Sequence, residues 1–151
     1  MSRFSAASAE SCTGGLIGTL ITDVPGSSQY YRGGAITYAN EAKERICGVP
    51  AKELREHGAV SGPVAVALAR GAARVFGTDY ALSVTGIAGP TGGTPTKPVG
   101  LVFIGLQTPD NVAAQEFRFG ADAPREAIRL RAARSALNLL RLHLLHAAWS
   151  R

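Results

Sequence analysis

The stretch FSAASAESCTGGLIGTLITDVPGSS, residues 4–28, contains the pattern that decides the fold. Residues 4–8 are predicted to form a short first strand, although they are poor in β-branched side chains. Residues 13–23 carry apolar side chains at intervals of three and four, the period of an amphipathic helix. Proline and glycine at 25–28 end that helix. The stretch therefore predicts a strand that turns directly into a helix.

The rest of the chain continues this alternation and then changes to a hairpin. Further strands are predicted at 33–38, 80–85, 99–106 and 112–119, and further helices at 41–47, at 51–57, from Ser61 to about 76, and from Pro124 onward. The last helix is apolar nearly all round over 132–145, which is typical of a helix that is buried or shared with a second subunit. This order predicts one α/β domain over residues 1–151, a three-layer α/β/α sandwich with a mixed β-sheet.

Composition argues against several classes of partner. The net charge is +5, but the basic residues are scattered and form no block with interleaved aromatics, so we expect no nucleic-acid partner. No apolar run approaches the roughly 20 residues needed to span a bilayer, and we find no signal peptide, so a cytoplasmic protein without membrane contact is expected. Cys12 and Cys47 are too few for a disulfide framework.

The titratable residues point away from metals and toward lysine. His57, His143 and His146 lie outside any metal-ligand pattern, so no metal and no cofactor are expected. Thirteen of the sixteen basic residues are arginine. Because arginine cannot lose its proton in a protein and lysine can, the few lysines are candidates for a role that arginine cannot fill.

The first unusual turn, residues 10–15, joins the first strand to the first helix. Ser11 would be exposed there, and backbone N–H groups after it would be free to bind an oxyanion. Two alternatives remain open: Ser11 or Thr13 merely caps the helix, or Cys12 is the nucleophile, because helix N-termini lower thiol pKa values.

The second turn, residues 38–43, places a lysine near a helix start. Asn40 is a fair N-cap, and Lys43 then lies about one turn into the helix, where a cation is disfavoured. The alternative is a solvated surface lysine beside Glu44.

The third turn, residues 85–100, is rich in glycine and proline. It lacks the Gly-x4-Gly-Lys-Ser/Thr order and no helix follows, so it is not a P-loop. A loop of this length between strands favours a functional role. With no histidine in these turns, the remaining nucleophile and base are a serine and a lysine.

These residues resemble the CinA C-terminal domain family. The resemblance rests on Ala9-Glu10-Ser11-Cys12-Thr13-Gly14-Gly15, on Tyr38-x-Asn40-x-x-Lys43, and on Gly86-Ile87-Ala88-Gly89-Pro90-x-Gly92-Gly93 followed by Lys97-Pro98-Val99-Gly100. It extends from about Ala9 to Leu142 and includes Arg125-x-x-x-Arg129.

The resemblance implies a nicotinamide-nucleotide amidohydrolase that makes nicotinate mononucleotide and ammonia without a metal, and that self-associates as a homo-oligomer. It implies Ser11 as nucleophile, Lys43 as base and Tyr38 beside them. The expected substrate-binding residues are Cys12, Thr13 and Gly14 after the nucleophile, Thr85, Gly86, Gly89, Gly92, Gly93 and Lys97 in the third turn, and Arg129, which with that turn would hold the ribose phosphate. The alternatives are a non-catalytic nucleotide-binding domain and a partner domain of competence or DNA-damage proteins.

Overall fold

Residues 4–149 are described by the computed structural model of the chain, and every predicted helix and strand is present in it. The strands are β1 (Ala6–Glu10), β2 (Tyr31–Ile36), β3 (Tyr80–Gly86), β4 (Leu101–Gln107) and β5 (Val112–Arg118). The helices are α1 (Leu16–Thr22), α2 (Asn40–Cys47), α3 (Ala51–His57), α4 (Gly62–Phe76) and α5 (Arg125–Trp149), and a short 3₁₀ turn spans Ser27–Gln29. Within residues 4–149, none of these helices is long and apolar enough to cross a membrane.

The five strands form one mixed sheet in the order β2-β1-β3-β4-β5. β1 pairs in parallel with β2 and β3, whereas β4 is antiparallel to both β3 and β5. Helix α4 packs across one face of the sheet with α2 and α3 against it, and α1 and α5 pack on the other face. The predicted three-layer α/β/α sandwich with a mixed sheet is therefore confirmed.

Helix α4 fixes the position of α2 by unusually close packing. Gly71 lies so near the carbonyl of Cys47 that an added Cβ would overlap with it, so only glycine permits this approach. Arg74, one turn further along α4, donates a hydrogen bond to the same carbonyl at 2.9 Å. Since α2 carries Lys43, these contacts set where that lysine can reach.

The sheet topology brings the three unusual turns together. β2, β1 and β3 are parallel, so their carboxyl ends lie at the same edge of the sheet. The first turn follows β1, the second follows β2, and the third follows β3. Ligands of open α/β sheets bind outside this edge.

Some local predictions are wrong at element ends. Helix α1 begins at Leu16 rather than at residue 13, and its N-cap is Gly15, so neither Ser11 nor Thr13 caps it. The N-cap of α2 is Ala39, not Asn40. Ser61 does cap α4, because its Oγ accepts a hydrogen bond from the N–H of Val64 at 3.4 Å.

Helix α5 is buried along one face only. Ile128, Ala132 and Ala136 are fully buried against the sheet, but Leu142 and Leu145 expose 48% and 45% of their surface. The helix is thus not buried all round within this chain, and self-association stays a prediction.

Candidate active site

A cavity of about 290 Å³ opens at the sheet edge where the three turns meet. Its walls come from all three turns and from the segment between α3 and α4. The lining residues are Ser11, Cys12, Tyr38, Asn40, Lys43, Ala59, Val60, Thr85, Gly86, Ile87, Ala88, Gly89, Thr91, Gly92 and Arg125.

Ser11 and Lys43 meet in this cavity although 32 positions separate them. The Lys43 Nζ atom lies 3.1 Å from Ser11 Oγ. The same ammonium donates to the carbonyl oxygens of Thr37 at 2.7 Å and Tyr38 at 3.0 Å. Because two carbonyls take two of the hydrogens, the third position on the nitrogen faces the serine hydroxyl.

Lys43 is almost completely buried, with 1% of its surface exposed. The alternative of a solvated surface lysine is therefore wrong. Among residues 4–149, no carboxylate forms an ion pair with it. Burial penalises the charged form and lowers the pKa of Lys43. A neutral amine would donate to the two carbonyls and present its lone pair to Ser11.

Glu10 holds the turn that carries Ser11, a role that no sequence pattern predicts. Its carboxylate is buried, and Oε1 accepts hydrogen bonds from Thr13 Oγ1 at 2.7 Å, Gly15 N at 3.2 Å and Ile17 N at 2.8 Å. Oε2 accepts from Gly18 N at 3.1 Å. Glu10 thus satisfies the free N–H groups at the start of α1, in place of a side-chain N-cap.

Glu10→Gln should lower the free energy of unfolding by about 1–3 kcal/mol, the cost of leaving a buried donor without an acceptor. The glutamine amide nitrogen would face a backbone N–H in place of one carboxylate oxygen. Urea unfolding measures the difference, with Glu44→Gln on the exposed side of α2 as the matched control. Equal unfolding midpoints for Glu10→Gln and the control would contradict this role.

The backbone after Ser11 offers unoccupied donors. Ser11 O accepts from Gly14 N at 3.1 Å, which closes a turn over Cys12 and Thr13. Among the bonds that the described residues make, none uses the N–H of Cys12 or Thr13 as donor. These donors precede α1 rather than belonging to its first turn, and Cys12 lies at the cavity wall.

Cys12 does not have the reactivity that the alternative required. Its side chain is buried in the core between the sheet and α5. Burial raises the pKa of the Cys12 thiol to about 11, whereas a reactive cysteine needs a lowered pKa. The expectation that a helix N-terminus would activate this thiol is wrong.

The third turn also lines the cavity and carries further free donors. Within the described chain, the N–H groups of Ala88, Gly89, Thr91 and Gly92 donate to no acceptor. Gly89 has φ 74°, and a Cβ there would strike Val99, so the loop needs glycine at this position. These donors suit an anionic or carbonyl ligand group.

Arg125 stands at the mouth of the cavity, and sequence reasoning did not select it for the site. It is exposed, and it donates to Gly89 O at 2.6 Å and to Tyr38 Oη at 3.2 Å. The carbonyl of Tyr38 accepts a hydrogen bond from Lys43, while among the described side chains its phenol oxygen is hydrogen-bonded only to Arg125. With the guanidinium of Arg125 at its mouth and no carboxylate among the described lining residues, the cavity favours an anionic ligand.

The structure brings eight of the sequence-predicted site residues to the cavity and places five elsewhere. Those at the cavity are Ser11, Cys12, Tyr38, Lys43, Thr85, Gly86, Gly89 and Gly92. Thr13, Gly14, Gly93, Lys97 and Arg129 do not line it. Lys97 donates to the carbonyl of His57 at the end of α3, and Thr13 donates to Glu10. The Arg125-x-x-x-Arg129 pattern does not predict which of the two arginines contacts the third turn, and the structure shows that Arg125 does.

Within residues 4–149, no three His, Cys, Asp or Glu side chains gather closely enough to hold a metal ion.

Comparison with known proteins places these features in a family. The sequence model of the CinA C-terminal domain matches residues 2–144. A CinA-like protein of Geobacter sulfurreducens is 55% identical over 139 residues, which cover 92% of this chain and 33% of that protein. A CinA-like protein of Gloeothece citriformis is 50% identical over 138 residues, or 91% of this chain and 33% of the relative. The chain thus spans about a third of the length of these relatives.

Solved structures show the same fold. The competence/damage-inducible protein CihA of Agrobacterium tumefaciens superposes with a TM-score of 0.88 at 42% identity, over 91% of this chain and 84% of that chain. The competence damage-inducible protein A of Klebsiella pneumoniae gives a TM-score of 0.90 at 30% identity, over 95% of this chain and 88% of the other. The names of these proteins state no reaction.

Proposed function

Since the chain belongs to the CinA C-terminal domain family, we propose that it is an amidohydrolase that converts nicotinamide mononucleotide to nicotinate mononucleotide and ammonia. The observation that carries the proposal is the contact between Ser11 Oγ and the buried amine of Lys43 at 3.1 Å. A serine becomes nucleophilic when an adjacent base accepts its proton. A lysine with its pKa lowered by burial is such a base.

In the first half-reaction, Ser11 Oγ attacks the carboxamide carbon while Lys43 takes the hydroxyl proton. The carbonyl oxygen becomes an oxyanion, and the free N–H groups after Ser11 donate to it. When the C–N bond breaks, Lys43 returns the proton to the leaving nitrogen, which departs as ammonia. The product of this step is an ester between Ser11 and the nicotinate carbonyl.

In the second half-reaction, a water molecule hydrolyses the ester on Ser11. Lys43, neutral again, accepts a proton from a water molecule as that water attacks the ester carbonyl. The second tetrahedral intermediate collapses, the proton passes from Lys43 to Ser11 Oγ, and nicotinate mononucleotide leaves. The enzyme returns to its starting state without a metal or redox partner.

The charge of the cavity supports a phosphate-bearing substrate. Arg125 is the exposed cation at the mouth, and the third turn supplies free N–H donors beside it. Such groups bind phosphate oxygens in many nucleotide sites. Pure nucleotide binding would need these contacts but no serine–lysine pair, so the pair favours the enzyme over a non-catalytic nucleotide-binding domain.

Ammonia release from a panel of pyridine compounds tests the proposal. Nicotinamide mononucleotide should be hydrolysed, and excess EDTA should leave the rate unchanged. Nicotinamide riboside should have a kcat/KM at least about 10-fold lower, since one hydrogen bond to a charged group contributes roughly 1.5–3 kcal/mol.

Arg125→Met should remove most of this discrimination, and Arg118→Met on the exposed edge of the sheet is the control. Equal kcat/KM for the nucleotide and the nucleoside in the wild type would contradict the phosphate site. No ammonia from any member of the panel would contradict the amidase.

A further inference from the structure

Arg129 reaches across from α5 to the turn that carries Ser11, although 117 positions separate Arg129 from Cys12. Its Nε donates to the carbonyl oxygen of Cys12 at 3.0 Å, and its Nη2 donates to that of Thr13 at 3.1 Å. Arg129 is half-buried and is not among the residues that line the cavity. Its guanidinium therefore binds the backbone of the turn and does not form part of the cavity wall.

Because the peptide group is planar, this contact also fixes the orientation of a backbone N–H group close to Ser11. A trans peptide is planar, so its C=O and N–H point in opposite directions. The carbonyl of Cys12 belongs to the same peptide plane as the N–H of Thr13. When Arg129 fixes that carbonyl, it also fixes the direction of an unoccupied N–H donor that follows the nucleophile.

The Arg129 guanidinium packs closely against the backbone of the turn at Gly14. Gly14 has φ 59°, and a Cβ placed on it would lie 3.1 Å from Arg129 Nη2, so the side chain packs directly on the backbone of the turn. On the other side of the turn, Glu10 accepts the hydroxyl of Thr13 and the N–H of Gly15. Arg129 thus binds two carbonyl groups of the turn, and Glu10 binds a hydroxyl and an N–H group of the same turn.

We propose that Arg129 is a positioning residue for the proposed amidase reaction, which holds Ser11 and the adjacent oxyanion donors in place through the carbonyls of Cys12 and Thr13. This inference rests on the proposed function, and it replaces the expectation that Arg129 binds the ribose phosphate. Lysine should not substitute, because two carbonyls at fixed spacing fit the planar fork of arginine better than a single ammonium.

The experiment compares Arg129→Lys and Arg129→Met with Arg134→Met, an exposed arginine on the same helix. For both Arg129 variants kcat should fall about 10- to 100-fold, since removing an oxyanion donor outright costs 10²–10³, while KM for nicotinamide mononucleotide stays nearly constant. The loss of kcat should be equal for nicotinamide riboside, which has no phosphate. Arg134→Met should match the wild type.

Two kinetic results would overturn the inference. An increase in KM for the nucleotide but not for the nucleoside would make Arg129 a phosphate ligand. Unchanged kcat in both variants would remove any role in positioning. If Arg129 only stabilised the fold, both Arg129 variants would have a lower unfolding temperature and an unchanged kcat.

Hydrogen exchange separates this inference from the proposed function because it requires no substrate. The amides of Gly14 and Leu16, which close the turn on Ser11 O and Thr13 O, should exchange about 10-fold faster in the Arg129 variants than in Arg134→Met. If the wild type releases no ammonia, the amidase fails, and faster exchange still supports Arg129 as the group that holds the turn. Unchanged exchange would overturn the inference whatever the activity.

Discussion

Ser11→Ala is expected to lower kcat for nicotinamide mononucleotide by about four orders of magnitude or more, the scale seen when a catalytic nucleophile is removed. The nucleotide should still bind with nearly wild-type affinity in calorimetry. The reason is that, within residues 4–149, Ser11 Oγ makes one hydrogen bond, which it accepts from Lys43, whereas the third turn and Arg125 remain in place.

Cys12→Ala is the control that the structure offers for this variant. Cys12 is the neighbouring residue and a chemically stronger nucleophile, but its thiol is buried and its pKa is raised to about 11. Cys12→Ala should therefore keep most of the activity and lose some stability through the small cavity it creates. Loss of turnover in Cys12→Ala together with high activity in Ser11→Ala would reverse the assignment of the nucleophile.

The architecture could be predicted from the sequence because its signals are local. The late hairpin follows from two apolar runs joined at Pro109-Asp110-Asn111, and the start of α4 follows from Ser61 and Pro63. The order β2-β1-β3 could not be predicted, because strand pairing depends on contacts between distant segments. That order brings the three turns to the same edge of the sheet. Each turn can be recognised in the sequence, but their proximity cannot be predicted from it.

In the candidate site, too, residue types could be predicted from the sequence, but contacts between distant segments could not. Ser11 and Lys43 were found from residue type and position, but the burial of Lys43 depends on how closely α2 packs against Gly71 of α4. Glu10 was overlooked because its four partners are three backbone N–H groups and one hydroxyl, and a sequence pattern marks none of them. Arg125 and Arg129 lie one helical turn apart on the same side of α5, so their spacing could not distinguish the arginine at the cavity from the one behind the turn.

Turnover by the wild type should increase with pH, because Lys43 must be neutral to accept the proton of Ser11. A solvent-exposed lysine has a pKa of about 10.4 and is almost entirely charged at neutral pH. Burial lowers the pKa of Lys43, so its neutral fraction, and kcat with it, should increase at lower pH than an exposed lysine would allow. A stopped assay of ammonia over a pH series measures this increase and its plateau.

Lys43→Arg and Lys43→Met should both lose nearly all turnover and the pH-dependent increase, since neither side chain can accept a proton at these pH values. Two variants are needed because the longer arginine has to fit a site where lysine exposes only 1% of its surface, whereas methionine is shorter and neutral. Nucleotide binding should persist in at least the methionine variant, because the proposed phosphate contacts are made by Arg125 and the third turn and not by Lys43. Lys97→Arg is the matched control. Among the described residues, the Lys97 ammonium donates only to the carbonyl of His57, a role that arginine can fill, so turnover and pH profile should stay close to the wild type. Wild-type turnover in Lys43→Arg would show that Lys43 supplies charge rather than a base, and the serine–lysine mechanism would then be wrong even if the cavity binds the nucleotide.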